Sequence, residues 1–195
     1  LFIFLGMTTF VFYLVRSRPR RGWGLLLLSA FSLGLAILTK GPVVLAYFLV
    51  CFLALLFMKR FPIRTSPAHV LFFVSILILV GGSWYLYQLL SGNSLVLKDF
   101  ISYHLMILSL KKAGHGGLPG YLLVILLLGV FPASVLSLKS ITKKTESNNL
   151  QRYYKQWMYI LILTVIVLYS IAQTKLLHYS SLAYFPLTFL SAWVW

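Results

Sequence analysis

Long apolar runs alternate with short polar breaks along the whole chain. A helix needs about 20 apolar residues to cross a bilayer, and about seven runs approach that length: 1–15, 23–39, 42–58, 69–90, 119–138, 157–173 and 179–195. The connections, 16–22, 40–41, 59–68, 91–118, 139–156 and 174–178, are too short to hold a soluble domain. Turn residues agree with these breaks. Gly41-Pro42 ends the second run, Pro62 and Pro67 bracket the third connection, and a glycine-rich stretch over 114–120 precedes the fifth run. Residues 142–152 read as a solvated loop. The expected fold is all-α, a polytopic transmembrane helix bundle forming one domain over 1–195. No internal repeat is visible, and the apolar spans read as uninterrupted.

Composition strengthens the membrane reading. The chain is 61% hydrophobic with a mean hydropathy of +0.94, beyond the roughly half-apolar content of soluble domains. Its 17 Lys and Arg face only Asp99 and Glu146, a formal charge of +15. In a soluble protein that balance would point to nucleic acid. Here the positive-inside rule is the simpler account, because alternate connections fall on opposite sides of a membrane. One side collects Arg16, Arg18, Arg20, Arg21, Lys59, Arg60, Arg64, Lys139, Lys143, Lys144, Arg152 and Lys155; the other holds only Lys40, Lys98, Lys111, Lys112 and Lys175. The first side is assigned to the cytoplasm. Anionic lipid headgroups are its natural counter-charge, and nucleic acid is not expected as a partner. Cys51 is the single cysteine and lies inside an apolar run, so there is neither a disulfide framework nor a metal-type cysteine pair.

Basic residues on the outer side are not explained by topology and call for another anion. Asp99, His104, His115 and His178 join them there, whereas His69 and Glu146 fall on the cytoplasmic side and His69 is given no role. The stretch 173–179 stands out, with Lys175, His178 and Tyr179 set between two apolar runs. A charge at membrane depth costs at least a few kcal/mol, so such residues sit at an interface, line a polar cavity, or both.

Three outer elements share one face: Leu38-Thr39-Lys40-Gly41-Pro42, His115-Gly116-Gly117-Leu118-Pro119-Gly120-Tyr121, and Thr174-Lys175-Leu176-Leu177-His178-Tyr179 with Pro186 beyond. Together with Phe131-Pro132-Ala133-Ser134, and in this order, they resemble the GT-C glycosyltransferases of the aminoarabinose transferase and protein mannosyltransferase type. The resemblance is clearest from Gly34 to Trp195. It implies transfer of a sugar from a polyprenyl-phosphate carrier to a lipid, glycan or protein acceptor, on the extracytoplasmic face of a bacterial plasma membrane, as in cell-envelope glycan or lipid A modification. Lys40 and Lys175 would then supply positive charge to the lipid phosphate. His104, His115, His178, Tyr121 and Tyr179 would donate hydrogen bonds to the phosphate or to sugar hydroxyls. A plainer reading stands beside each: the two lysines as helix-end cations reaching the interface, and Tyr121, Tyr179 and Trp84 as members of an interfacial aromatic belt. Lys98, Lys111 and Lys112 read as solvated loop charges or as part of a lid.

The pattern departs from the family in two places. Inverting glycosyl transfer needs a base, usually a carboxylate. The family carries its acidic residue in the first extracytoplasmic loop, which has no counterpart here. That base is expected upstream of Leu1, and the 195-residue stretch alone is expected to be inactive. Asp99 is the one outer carboxylate and so the internal candidate for a catalytic base; its other reading is a loop residue pairing with Lys98. The family also tends to an arginine shortly after the position of His104, where this chain has Met106-Ile107-Leu108. No metal ligands or organic cofactor are assigned, and a divalent cation is left open. Two other classes compete. A carrier or flippase for a lipid-linked anion would need paired, interrupted helices. A structural subunit would leave Lys40, His115 and Lys175 pointing apart.

Overall fold

The computed structural model describes residues 1–15, 22–57, 65–109, 121–142, 149–171 and 181–194. Among them every regular element is helical: α1 (Phe2–Val15), α2 (Gly22–Lys40), α3 (Val43–Phe57), α4 (Pro67–Gly81), α5 (Ser83–Leu90), α6 (Ser94–Ser109), α7 (Tyr121–Gly129), α8 (Ala133–Thr142), α9 (Asn149–Ile171) and α10 (Tyr184–Ala192). The expected all-α class is therefore correct. The chain divides into two compact units, Leu1–Ile101 and Ser102–Trp195.

The first unit is built on α2, which packs against α1, α3 and α4. Close approach of the helices rests on small residues. Gly6 faces Leu33 so tightly that an added Cβ would lie 2.7 Å from Leu33 Cγ. Beside it the buried Ser29 hydroxyl donates to the Gly6 carbonyl at 2.6 Å, a polar link between α1 and α2. On the other side of α2, Gly34 meets Gly81 of α4, with Gly34 Cα only 3.4 Å from where a Gly81 Cβ would stand. Close van der Waals packing at these small residues, with the interhelical hydrogen bond, holds the helices together. An aromatic cluster supplements this. Phe10 of α1 lies 5.1 Å from Phe48 of α3 and 5.1 Å from Phe73 of α4, ring centre to ring centre. Near the start of α4, His69 sits edge-on to Trp23 at 4.4 Å and Tyr13 at 5.6 Å, with its buried Nε2 lacking a hydrogen-bond partner.

In the second unit α10 packs on α8 and α9. The contact face of α8 is a line of buried serines at three-residue spacing. Ser137 donates to the Ser134 carbonyl and Ser140 to the Ser137 carbonyl, each at 2.6 Å. These hydroxyls satisfy themselves on their own helix and keep that face thin. Ser140 also shares a 2.7 Å hydrogen bond with the Tyr159 hydroxyl of α9. Trp157, Met158, Leu161 and Val165 of α9, with Ala183 and Leu190, fill the core.

The helices differ from the expected layout in five places, one being the run 179–195, which carries only the nine-residue α-helix α10 among its described residues. The run 69–90 is broken at Gly82 into α4 and α5, bent by 54°. Glycine pairs are among the usual causes of sharp kinks, and Gly81-Gly82 stands at this one. The run 119–138 is interrupted between α7 and α8, where Pro132 brings no N–H to continue the ladder. The Ser134 hydroxyl donates instead to the Leu127 carbonyl at 2.6 Å, reconnecting the two pieces. The connection 91–118 is not simply a loop, since it contains the 16-residue α6. The run 157–173 belongs to a longer helix that begins at Asn149, because a helix does not stop where its residues turn polar. One helix of the described residues, Gly22–Lys40, is long and apolar enough to cross a membrane, and the bent α4–α5 pair counts as a second if taken as one span. The expected spans at α1 and α3 form helices of 14 and 15 residues. At 1.5 Å per residue these reach roughly 22 Å against a hydrocarbon core of about 30 Å.

A candidate site at the end of helix α2

The Thr39-Lys40-Gly41-Pro42 turn is fixed by helix-end chemistry. Gly41 has φ of +78°, the left-handed conformation that glycine adopts without strain, and its N–H donates to the Ile37 carbonyl at 2.8 Å. Pro42 then opens α3, its fixed φ suited to a first helical turn. Lys40 is thus the exposed last residue of α2, where the helix dipole favours a cation. Thr39 turns its hydroxyl inward to the Ala36 carbonyl, at 3.1 Å.

Beside this helix end is a groove of about 590 Å³ lined by Ile37 and Leu38 of α2, Ser83, Trp84, Tyr85 and Tyr87 of α5, and Phe100 of α6. Ile37 lies three residues before Lys40, on the same side of α2. The aromatic wall is self-supporting. Trp84 and Tyr85 meet at 5.2 Å, and Phe100 closes the triangle at 5.1 Å from Trp84 and 5.8 Å from Tyr85. Ser83 donates to the Val80 carbonyl at 2.7 Å, so the groove's chemistry is ring faces, aliphatic carbon and tyrosine hydroxyls. Such a surface takes an apolar body, and Lys40 follows Ile37 of the wall by one helical turn along α2.

Of the expected site residues, Lys40 and Asp99 fall in the first unit. Asp99 is exposed on α6 next to Phe100, as is Lys98, so these two belong to a helix and not to the open loop expected. His104 belongs to the second unit, half-buried, its ring edge-on to Tyr103 at 5.9 Å. His115, Lys175, His178 and Tyr179, and the side chain of Tyr121, lie outside the described residues, as do Lys111 and Lys112. Among the described residues no three histidine, cysteine or carboxylate side chains gather to hold a metal.

The groove itself is the feature the sequence reading did not assemble. Trp84 reads there as an interfacial aromatic, and Tyr85, Tyr87 and Phe100 carry no assignment. The available signal was the cluster Trp84-Tyr85-Leu86-Tyr87 directly after Gly81-Gly82-Ser83, an aromatic patch behind a kink. No protein-family model, curated protein or solved structure matches this chain.

Proposed function

We propose that this chain is the membrane-embedded part of a GT-C type glycosyltransferase, moving a sugar from a polyprenyl-phosphate donor to a lipid, glycan or protein acceptor on the extracytoplasmic side. The observation that carries the reading is the aromatic groove at the Lys40 end of α2. An apolar lipid chain suits the groove, and a phosphate suits a lysine carried at that end of α2. The three sequence motifs around Lys40, His115 and Lys175, met in that succession along the chain, support the same reading. In this proposal the chain crosses the plasma membrane about seven times, using runs of roughly the length a span requires. Outward-facing Leu45, Leu49, Leu53 and Leu56 of α3 and Leu71, Ile78 and Leu79 of α4 support lipid contact, since contiguous apolar surface of that kind is unusual in water. Asp99 is the internal candidate for the base.

The test is turnover of a radiolabelled polyprenyl-phosphate sugar by the full-length protein in lipid vesicles. Lys40→Ala and Lys175→Ala are each expected to lower turnover about 10- to 100-fold, the worth of one charge-assisted contact. Native turnover in both variants would remove the two lysines from the mechanism and the reading with them.

A carrier or flippase for a lipid-linked anion is the second reading, and one observation favours it. Two apolar runs are interrupted, at Gly82 and before Pro132, where the sequence reading expected uninterrupted spans. Broken helices are a recurrent feature of transporter binding sites. Movement of a fluorescent lipid phosphate across the vesicle bilayer without a glycosidic bond being formed or broken would select this reading.

A further inference from the structure

The groove wall contributed by α5 stands between two glycine joints. At the first, Gly81 is held against α2: an added Cβ would lie 3.0 Å from Ile37 Cδ1 and 3.4 Å from Gly34 Cα. At the next residue, Gly82, the nearest atoms all belong to Ile78 of its own preceding turn, and a Cβ there would collide with the Ile78 carbonyl oxygen. The bend therefore requires glycine at position 82, and the anchored part of α4 ends one residue before it. At the second joint, Gly92 has φ of +74°, and a Cβ there would meet nothing within 4 Å. Between the joints no residue of Ser83–Leu90 is buried. The segment leans on α6 through the rings of Trp84 and Tyr85 against Phe100.

We propose that Ser83–Leu90 is a hinged wall. It turns about Gly82 and Gly92, swinging Trp84, Tyr85 and Tyr87 away from Leu38 and Phe100 to admit the apolar chain of a lipid anion and back to cover it. At Gly82 the ladder is unbroken in the bent form, its N–H donating to the Ile78 carbonyl (2.8 Å) and its carbonyl accepting from Leu86 N–H (2.9 Å), whereas a turn at Gly92 works against the Asn93 N–H bond to the Gln88 carbonyl (3.0 Å). The ligand named here rests on the reading under Proposed function; the hinge does not.

The two are separable in one experiment. Nitroxide labels at Leu38→Cys on α2 and Leu90→Cys on α5 report the opening by pulsed electron spin resonance in the full-length protein in vesicles. Both positions are exposed, and the buried Cys51 stays unlabelled. In the native background the label distance is expected to be broadly distributed. Gly82→Ala cannot adopt the bend without a backbone shift, so one narrow population is expected, displaced by up to roughly 10 Å because the eight-residue arm is about 12 Å long. Gly24→Ala, where a Cβ meets nothing within 4 Å, is the silent control. If Gly82→Ala fails to insert, Gly92→Ala, which penalises the left-handed joint, is expected to narrow the distribution instead. A native distribution that is already narrow, and unmoved in the inserting glycine variant, overturns the hinge. Adding a long-chain prenyl phosphate should shift the native population toward the short distance. A hinge that responds to the glycine substitution and ignores prenyl phosphate upholds the motion and counts against the donor reading.

Discussion

A methyl group added at Gly34 would arrive 2.7 Å from Val80 Cβ, inside any normal contact distance, whereas one added at Gly24 on the same helix meets nothing. The two positions therefore separate packing from helix propensity. Gly34→Val is expected to destabilise the protein by about 1–3 kcal/mol through forced separation of α2 and α4. Gly24→Ala is expected to be neutral within about 0.5 kcal/mol or slightly stabilising. Thermal unfolding in detergent, read at constant protein and detergent concentration, distinguishes them. Nothing in the sequence marks Gly34 as different from Gly24, since a glycine in an apolar run carries no label for what faces it. Lys40 is the opposite case. Its place at a helix end follows from the adjoining Gly41-Pro42, one residue that favours a left-handed cap and another that opens the next helix.

At the scale of elements, α1, α2 and α3 begin and end within about two residues of their apolar runs, well inside the usual uncertainty of helix ends. Their boundaries are set by glycine, proline and charge, all visible in a single sequence. The break at Gly82 is marked only by the Gly81-Gly82 pair and escapes a hydropathy reading, because a kink leaves the apolar count unchanged. Helix α6 was missed for the converse reason. Ser94, Lys98, Asp99, Ser102 and His104 make it too polar to register as a span, though nothing in it prevents helix formation. As a result the groove, which needs both α5 and α6, is only half visible in the sequence, as the Trp84-Tyr85-Leu86-Tyr87 cluster, while its neighbour Lys40 stands out. The cap that places Lys40 is itself testable. Gly41→Ala is expected to cost about 1–2 kcal/mol by forcing a Cβ into the left-handed region, and to raise amide exchange in the last turn of α2 around Ile37.

For the whole molecule, the proposed membrane reading assigns a side to each connection from the uneven spread of basic residues, and that proposal has a direct check. In intact cells producing the full-length protein, a membrane-impermeant maleimide is expected to label Asn93→Cys, between α5 and α6, on the outer side. Ser66→Cys, just before α4, is expected to react only after permeabilisation. Both residues are exposed. Labelling of both from outside, or of Ser66→Cys alone, would invert or dissolve the topology on which the outer site depends. The contact of Gly34 with Gly81 then acquires a mechanical meaning. Two backbones touch one residue before the joint at Gly82, so α2 serves as the fulcrum of a lever whose arm is α5. A side chain at position 34, which does not line the groove, would move the fulcrum and so set how far the arm can swing.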